Sequence, residues 1–299
     1  MIAPSPALIL PPEVEVRIAP GAKIFVLGAG SRLVIRGALT APVGQVFELP
    51  RPDLLGIAGT GVGEVDLQDD RIECVHPEWW GAGRGDAEVD TQALQQAVHV
   101  AQRRSRPIPV ELLGRYVLRR PLILSAPETS SDQGVELRGR FSSGGEPCLR
   151  ASHDFEGVVQ GEAMVIIPHT TQSALLHAVS MDGRGKAKYC IEARVAGSSV
   201  TAVTRAPHTL QQCAFGGATD AQVALHRFEP IVPAHRPFGV SHAPQLVATG
   251  CVFSPLASSV GVRLSALPDS VATLTGCTFA GEALAMVHVM GQGVTLTSC

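Results

Sequence analysis

Apolar positions along this chain come in short runs broken by Gly and Pro, with one interruption of a different period. Between residues 13 and 76 the runs EVEVRIAP, AKIFVLGAG, RLVIRGAL and QVFEL follow one another closely. Many short Val/Ile/Leu runs separated by turn residues predict an all-β region. From residue 90 the period changes. Ala93, Leu94, Ala97, Val98 and Ala101 fall on one face at helical spacing, which predicts a helix over 90–104. Asp90 is placed to cap its N-terminus, since a carboxylate accepts hydrogen bonds from unpaired first-turn amides. Arg103 and Arg104 stand where the helix dipole favours cations, and Pro107 prevents continuation. Strand-like runs then resume, beginning with IPVELLGRYVLRRPLIL and GVELRGRF. The chain divides into a β module (1–80), a capping turn and helix (81–106) and a long β region (107–299).

The long region repeats itself. Cys213, Cys251, Cys277 and Cys299 end the similar strings TLQQC, LVATGC, TLTGC and TLTSC. Intervals of 26 residues (Cys251 to Cys277) and 22 residues (Cys277 to Cys299) are the size of solenoid repeats. The interval from Cys213 to Cys251 is 38 residues, a surplus of 16 over the last one. That surplus falls in HRFEPIVPAHRPFGVSHAP, His226–Pro244, where Pro and His break the strand pattern. A solenoid accommodates such an insertion as a loop standing off one face. The seven Cys form no CxxC pair, so neither a disulfide framework nor a zinc site is indicated. The repeated Cys are expected to stack in the core as small apolar residues.

Residues 77–98, PEWWGAGRGDAEVDTQALQQAV, closely resemble the opening segment of right-handed parallel β-helix proteins of the pectate-lyase-like superfamily. That superfamily includes polysaccharide lyases, family-28-related glycoside hydrolases and phage tailspikes. The run after residue 107 is similar to its "PAGTYLISSPLTLPSGVTLRGEG" pattern. Its "GAKGDGVTDDTAA" string becomes GAGRGDAEVDT here, with Val89 in place of the first of two adjacent Asp. The resemblance implies an all-β fold: a right-handed parallel β-helix, a leading β module ending in Glu78–Ala82, and one α-helix covering the solenoid's open end. Asp86 and Asp90 are then expected to serve the turn and the cap, and Trp79 and Trp80 to be buried at the junction.

Composition narrows the partners. The 299 residues carry 24 basic and 27 acidic groups, net −3, so no global field attracts nucleic acid. Mean hydropathy is +0.20, yet no apolar run is long enough to insert in a membrane. The N-terminus, MIAPSPALIL, lacks the basic region of a signal peptide. The resemblance nonetheless implies an extracellular or cell-surface setting. Because Cys299 falls in mid-coil, the last coil is expected to meet a second copy or a further C-terminal domain.

Candidate chemistry is sparse. FVLGAGS (Phe25–Ser31) lacks the third Gly of a dinucleotide fingerprint and runs into a strand pattern, and GTGVG (Gly59–Gly63) lacks the Lys-Ser/Thr of a phosphate loop. The polar turn MDGRGKAKYC offers Asp182, Arg184 and Lys186 as catalytic candidates. A uronate lyase needs a base for the proton beside the carboxylate and cations for the enolate-like charge. Lys188, His226, Arg227, Glu229, His235 and Arg236 are the candidates for substrate binding. The competing reading is an ordinary solvated turn and a surface loop. The Asn-Thr-Asp, Gly-His-Gly and Arg-Ile-Lys strings of family-28 polygalacturonases are missing after residue 107, and Asp69-Asp70 lies in the wrong module. From residue 182 onward acids are few: Asp182, Glu192, Asp220, Glu229, Asp269 and Glu282. No residue is assigned as a metal ligand and no cofactor is implied; Ca2+ has no motif to support it. Two functions follow: a carbohydrate-active β-helix binding or cleaving an extracellular, acidic polysaccharide, or a non-catalytic structural or adhesive solenoid.

Overall fold

The computed structural model describes residues 7–26, 31–48, 64–103, 108–124, 134–139, 148–156, 163–168, 171, 173–196, 207–228, 245–265, 271–289 and 293–299. From Val110 onward the chain is a parallel β-helix. One coil shows the plan: strands Ala174–His177, Ser180–Asp182 and Tyr189–Ala196 run along three faces in turn. Repetition builds three sheets of seven, six and six strands, and every strand pair in them is parallel. Each strand thus hydrogen-bonds the coil beneath and the coil above, which satisfies its backbone groups on both sides.

Inward side chains form continuous ladders through this stack. On the first sheet Leu137, Leu176, Leu210, Ala248 and Leu274 lie in register. On the second, Phe215, Phe253 and Phe279 stack with ring centroids 5.5 and 5.1 Å apart. On the third, Val165, Ile191, Val223 and Val262 align. The core is one apolar column, and its coherence comes from like residues sitting over like.

From the strand Ala174–His177 onward, the corner between the first and second sheets is only two residues long. Its first residue adopts positive φ: Ala178 (53°), Gln212 (52°), Gly250 (61°), Gly276 (59°) and Ser298 (54°). Its second residue points inward, and this is the site of the repeated cysteine. Cys213, Cys251 and Cys277 are buried, and each thiol donates to a first-sheet carbonyl one coil below: Leu176 (3.3 Å), Leu210 (3.5 Å) and Ala248 (3.6 Å). All seven Cys are free. The expected core ladder is present.

The N-terminal module uses the same principle on a smaller scale. Ala7–Leu10, Arg32–Ile35 and Glu64–Leu67 form one parallel sheet; Val16–Arg17 with Leu39–Thr40, and Ile24–Phe25 with Phe47–Glu48, form two more. The stretch Arg32–Ile35 is strand, which removes the helix that a dinucleotide site would need after Ser31.

Helix α1 spans Ala87–Gln102, so it begins three residues before the expected position. Asp86 caps it, not Asp90: Asp86 Oδ1 accepts from Glu88 N (3.1 Å) and Val89 N (3.2 Å). Asp90 lies inside the first turn and is fully buried. Its carboxylate accepts from Gly83 N (2.8 Å) and from Val117 N (2.9 Å) on the solenoid's first coil. Thr91 Oγ1 accepts from Arg119 N (2.9 Å), and the Gln95 amide exchanges two 2.9 Å bonds with the backbone of Ile123. Val75 completes the set, accepting from Glu111 N (2.9 Å) and donating to Pro109 O (3.0 Å). The first coil's otherwise bare edge thus receives hydrogen-bond partners on all three faces. Leu94, Ala97 and Val98 are fully buried against the apolar end, as their spacing predicted. Trp79 and Trp80 are buried beside them, with Trp80 5.3 Å from Phe47 of the N-terminal module.

Two stability outcomes follow. Asp90→Ala leaves two buried amides without an acceptor and lowers stability by about 2–5 kcal/mol; the urea midpoint checks it, with the slope unchanged. Gln212→Gly relieves a left-handed backbone and raises stability by about 0.5–1 kcal/mol, whereas Gly276→Ala lowers it by about 1 kcal/mol. The pair is read by thermal denaturation of both variants against the parent chain.

Candidate functional site

The turn between the second and third sheets carries the residues first singled out. Asp182 ends a strand, and its Oδ1 accepts from Arg184 N at 2.9 Å. Arg184 has φ of 52°, and Lys186 N closes the turn on Gly183 O at 2.8 Å. Arg184 and Lys186 are exposed. Asp182 is committed to shaping this turn, and the two cations stand clear of its carboxylate as a basic rim. Lys188, at the end of the turn, lies with Nζ 5.6 Å from the centroid of the Tyr189 ring.

Beside that turn, three successive coils meet. The parallel register places Tyr189 next to Ala221 and Ala221 next to Val260. Asp220, just before its strand, donates its N–H to Lys188 O (3.0 Å) and accepts from Val260 N (2.8 Å). This fixes its carboxylate between neighbouring coils. Tyr189 OH donates to Asp220 Oδ2 at 3.0 Å from one side. Arg263, one coil on, donates Nη1 to Oδ1 at 2.5 Å and to Oδ2 at 2.6 Å from the other. The small residues Ala221 and Ala224 pack with Tyr189 and Val260 in a second, external apolar cluster. Glu192 and Arg194 form a further 3.1 Å pair on the same strand as Tyr189.

The electrostatics keep the phenol of this cluster protonated and its carboxylate paired. Burial, and then the hydrogen bond to Asp220, push the Tyr189 phenol well above its ordinary value. It therefore remains a donor. Asp220 already accepts from a phenol and a guanidinium. Arg184, Lys186, Lys188, Arg194 and Arg263 set five cations against three carboxylates, Asp182, Glu192 and Asp220, on a chain whose net charge is −3. Charge of one local sign on an oppositely charged chain attracts anions to that place.

The remaining candidates fall elsewhere. His226 and Arg227 lie on strand Ala221–Phe228, with His226 in backbone register beside Arg194. Glu229, His235 and Arg236 lie outside the described residues. A shallow groove of about 380 Å3 runs over the outer face of the first sheet, past Glu136, Ser173, Leu175 and Gln211. Glu136 accepts from Arg138 Nε there (2.5 Å), so the groove presents no free charge pair. Among the described residues the exposed aromatic side chain is Phe25, in the N-terminal module.

Tyr189, Asp220 and Arg263 were not among the site candidates drawn from sequence. Tyr189 adjoins the polar turn, and Asp220 is one of the few late acids, but nothing in the sequence pairs them. The pairing depends on register, and coil lengths are uneven: 39 residues from Val135 to Ala174, 22 from Ala272 to Val294. No family model matches this chain, and neither any curated protein nor any solved structure matches it.

The three groups should behave as a unit. A double-mutant cycle between Tyr189→Phe and Arg263→Ala is expected to show a coupling energy of about 0.5–1 kcal/mol through their shared carboxylate, measured by chemical denaturation.

Proposed function

We propose that this chain is a pectate-lyase-like β-helix that binds an acidic polysaccharide along the corner between its second and third sheets, without cleaving it. One observation carries the reading: three coils bring Tyr189, Asp220 and Arg263 within hydrogen-bonding distance beside the exposed cations Arg184 and Lys186. A solenoid edge is linear, which suits a linear polymer. Arg184 and Lys186 supply donors to carboxylates, and Arg263 holds the carboxylate of Asp220 so that it does not repel the ligand. Binding without cleavage is favoured because each carboxylate of the cluster is engaged with a backbone amide, a phenol or a guanidinium. Neither stands as the free carboxylate that the acid–base pair of a hydrolase requires. A surface-exposed or secreted setting follows from such a ligand.

The second reading, a structural or adhesive solenoid, is favoured by the absence of an exposed aromatic platform among the described residues of the solenoid. The two readings separate in affinity electrophoresis against polygalacturonate, alginate and a neutral glucan. Retardation by a uronate polymer and not by the glucan is expected, with no rise in ultraviolet absorbance from unsaturated products and no new reducing ends. Replacing Arg184 and Lys186 together by Ala should weaken retention about tenfold or more, the loss expected for charge-assisted hydrogen bonds. Retention equal in the double variant, or equal for the neutral polymer, overturns the assignment.

A further inference from the structure

A second group of side chains converges at the seam between the N-terminal module and the solenoid, remote from the polysaccharide surface in sequence. Val75 is fully buried and bridges Val110 in parallel register. Successive side chains on extended backbone alternate in direction, so Cys74 and His76, which flank Val75, both face outward. The same register brings Glu111 beside His76. A thiol sulfur, a ring nitrogen and a carboxylate oxygen from these three residues lie within 4.8 Å of one another. Cys74 Sγ is 3.4 Å from His76 Nε2. Two ligands on one tetrahedral ion, at about 2.3 Å for sulfur and about 2.0 Å for nitrogen, are themselves about 3.5 Å apart. The His76 ring is held edge-on to Trp79, centroids 5.3 Å apart at 82°, and its Nδ1 is buried with no partner among the protein groups.

We propose that Cys74, His76 and Glu111 form a binding site for a zinc-class divalent cation. The donor set is mixed sulfur, nitrogen and oxygen. It suits a borderline ion such as Zn2+ and disfavours Ca2+ and Mg2+, which take oxygen ligands alone. Sequence spacing gave no metal ligands because the third donor comes from a different strand, reached through the Val75–Val110 bridge. The nearby cation, Arg138, is hydrogen-bonded to Glu136 at 2.5 Å. Burial first, then the charge of Glu111, pushes the Cys74 thiol up to about 11. Left to itself it is a neutral thiol, so a Cys–His nucleophile is the weaker use of this pair. An ion there would tie the segment leaving the N-terminal module, through Cys74 and His76, to the solenoid's first coil, through Glu111.

Titration of the chelator-treated full chain with Co2+ tests the site. One ion per chain is expected, with the visible bands of a tetrahedral site and a near-ultraviolet thiolate-to-cobalt band that Zn2+ abolishes. Cys74→Ser should remove the near-ultraviolet band, and Glu111→Gln should weaken binding by about tenfold or more. Circular dichroism checks that both variants fold, and Cys299→Ser, at an exposed cysteine, should leave the titration unchanged. Zn2+ should also raise the thermal midpoint of the parent chain and raise it less in Glu111→Gln. A parent chain without the near-ultraviolet band, or a titration indifferent to both Cys74→Ser and Glu111→Gln, overturns the proposal.

Discussion

A stack of parallel strands has an end, and at that end a row of amides and carbonyls has no next coil to meet. Everything above depends on how those groups are satisfied. Three side chains of one helix and one extended residue do it here. Asp90 and Thr91 accept from Val117 and Arg119 on the second face and just beyond it, Gln95 pairs with Ile123 on the third, and Val75 pairs with the first. The buried carboxylate of Asp90 is the costliest of these to place, and burial accordingly pushes its pKa up. It holds because it also accepts from Gly83, so that the turn before the helix and the strand after it close on one group. The apolar face of the helix then covers the core without further demand on hydrogen bonding.

With that end fixed, register propagates upward and decides which side chains meet. The lateral cluster is a product of register alone. Tyr189, Asp220 and Arg263 come from different coils, and the small Ala221 and Ala224 between them leave room for a ring and a guanidinium to lie over the sheet. The same logic operates at the seam, where one bridge between Val75 and Val110 brings Glu111 to His76. Chemistry on a solenoid is assembled across rungs, and neighbours in space are tens of residues apart in the chain.

This explains what could be read in advance. The helix was legible because Ala93, Leu94, Ala97 and Val98 share a face, and the repeated cysteines because one corner recurs with one geometry. The misplacement of the cap has a plain cause: Asp86 and Asp90 both precede or open the apolar stripe, and only the fold shows which carboxylate faces the first-turn amides. The parallel order of the N-terminal module was hidden because several of its strands are two residues long and carry no period. The Tyr189–Asp220–Arg263 cluster was hidden because the residues joining the third sheet to the first vary in number from coil to coil, and with unknown register no pair could be matched.

That variation has its own significance. From Ala178 onward the corner between the first and second sheets admits two residues and demands an unusual backbone at one of them, coil after coil. The passage from the third sheet back to the first takes up all manner of lengths, while the strands on either side stay aligned. Over these later coils, descent and design alike can therefore lengthen, shorten or graft sequence along one edge without disturbing its neighbours, while the opposite edge keeps the count.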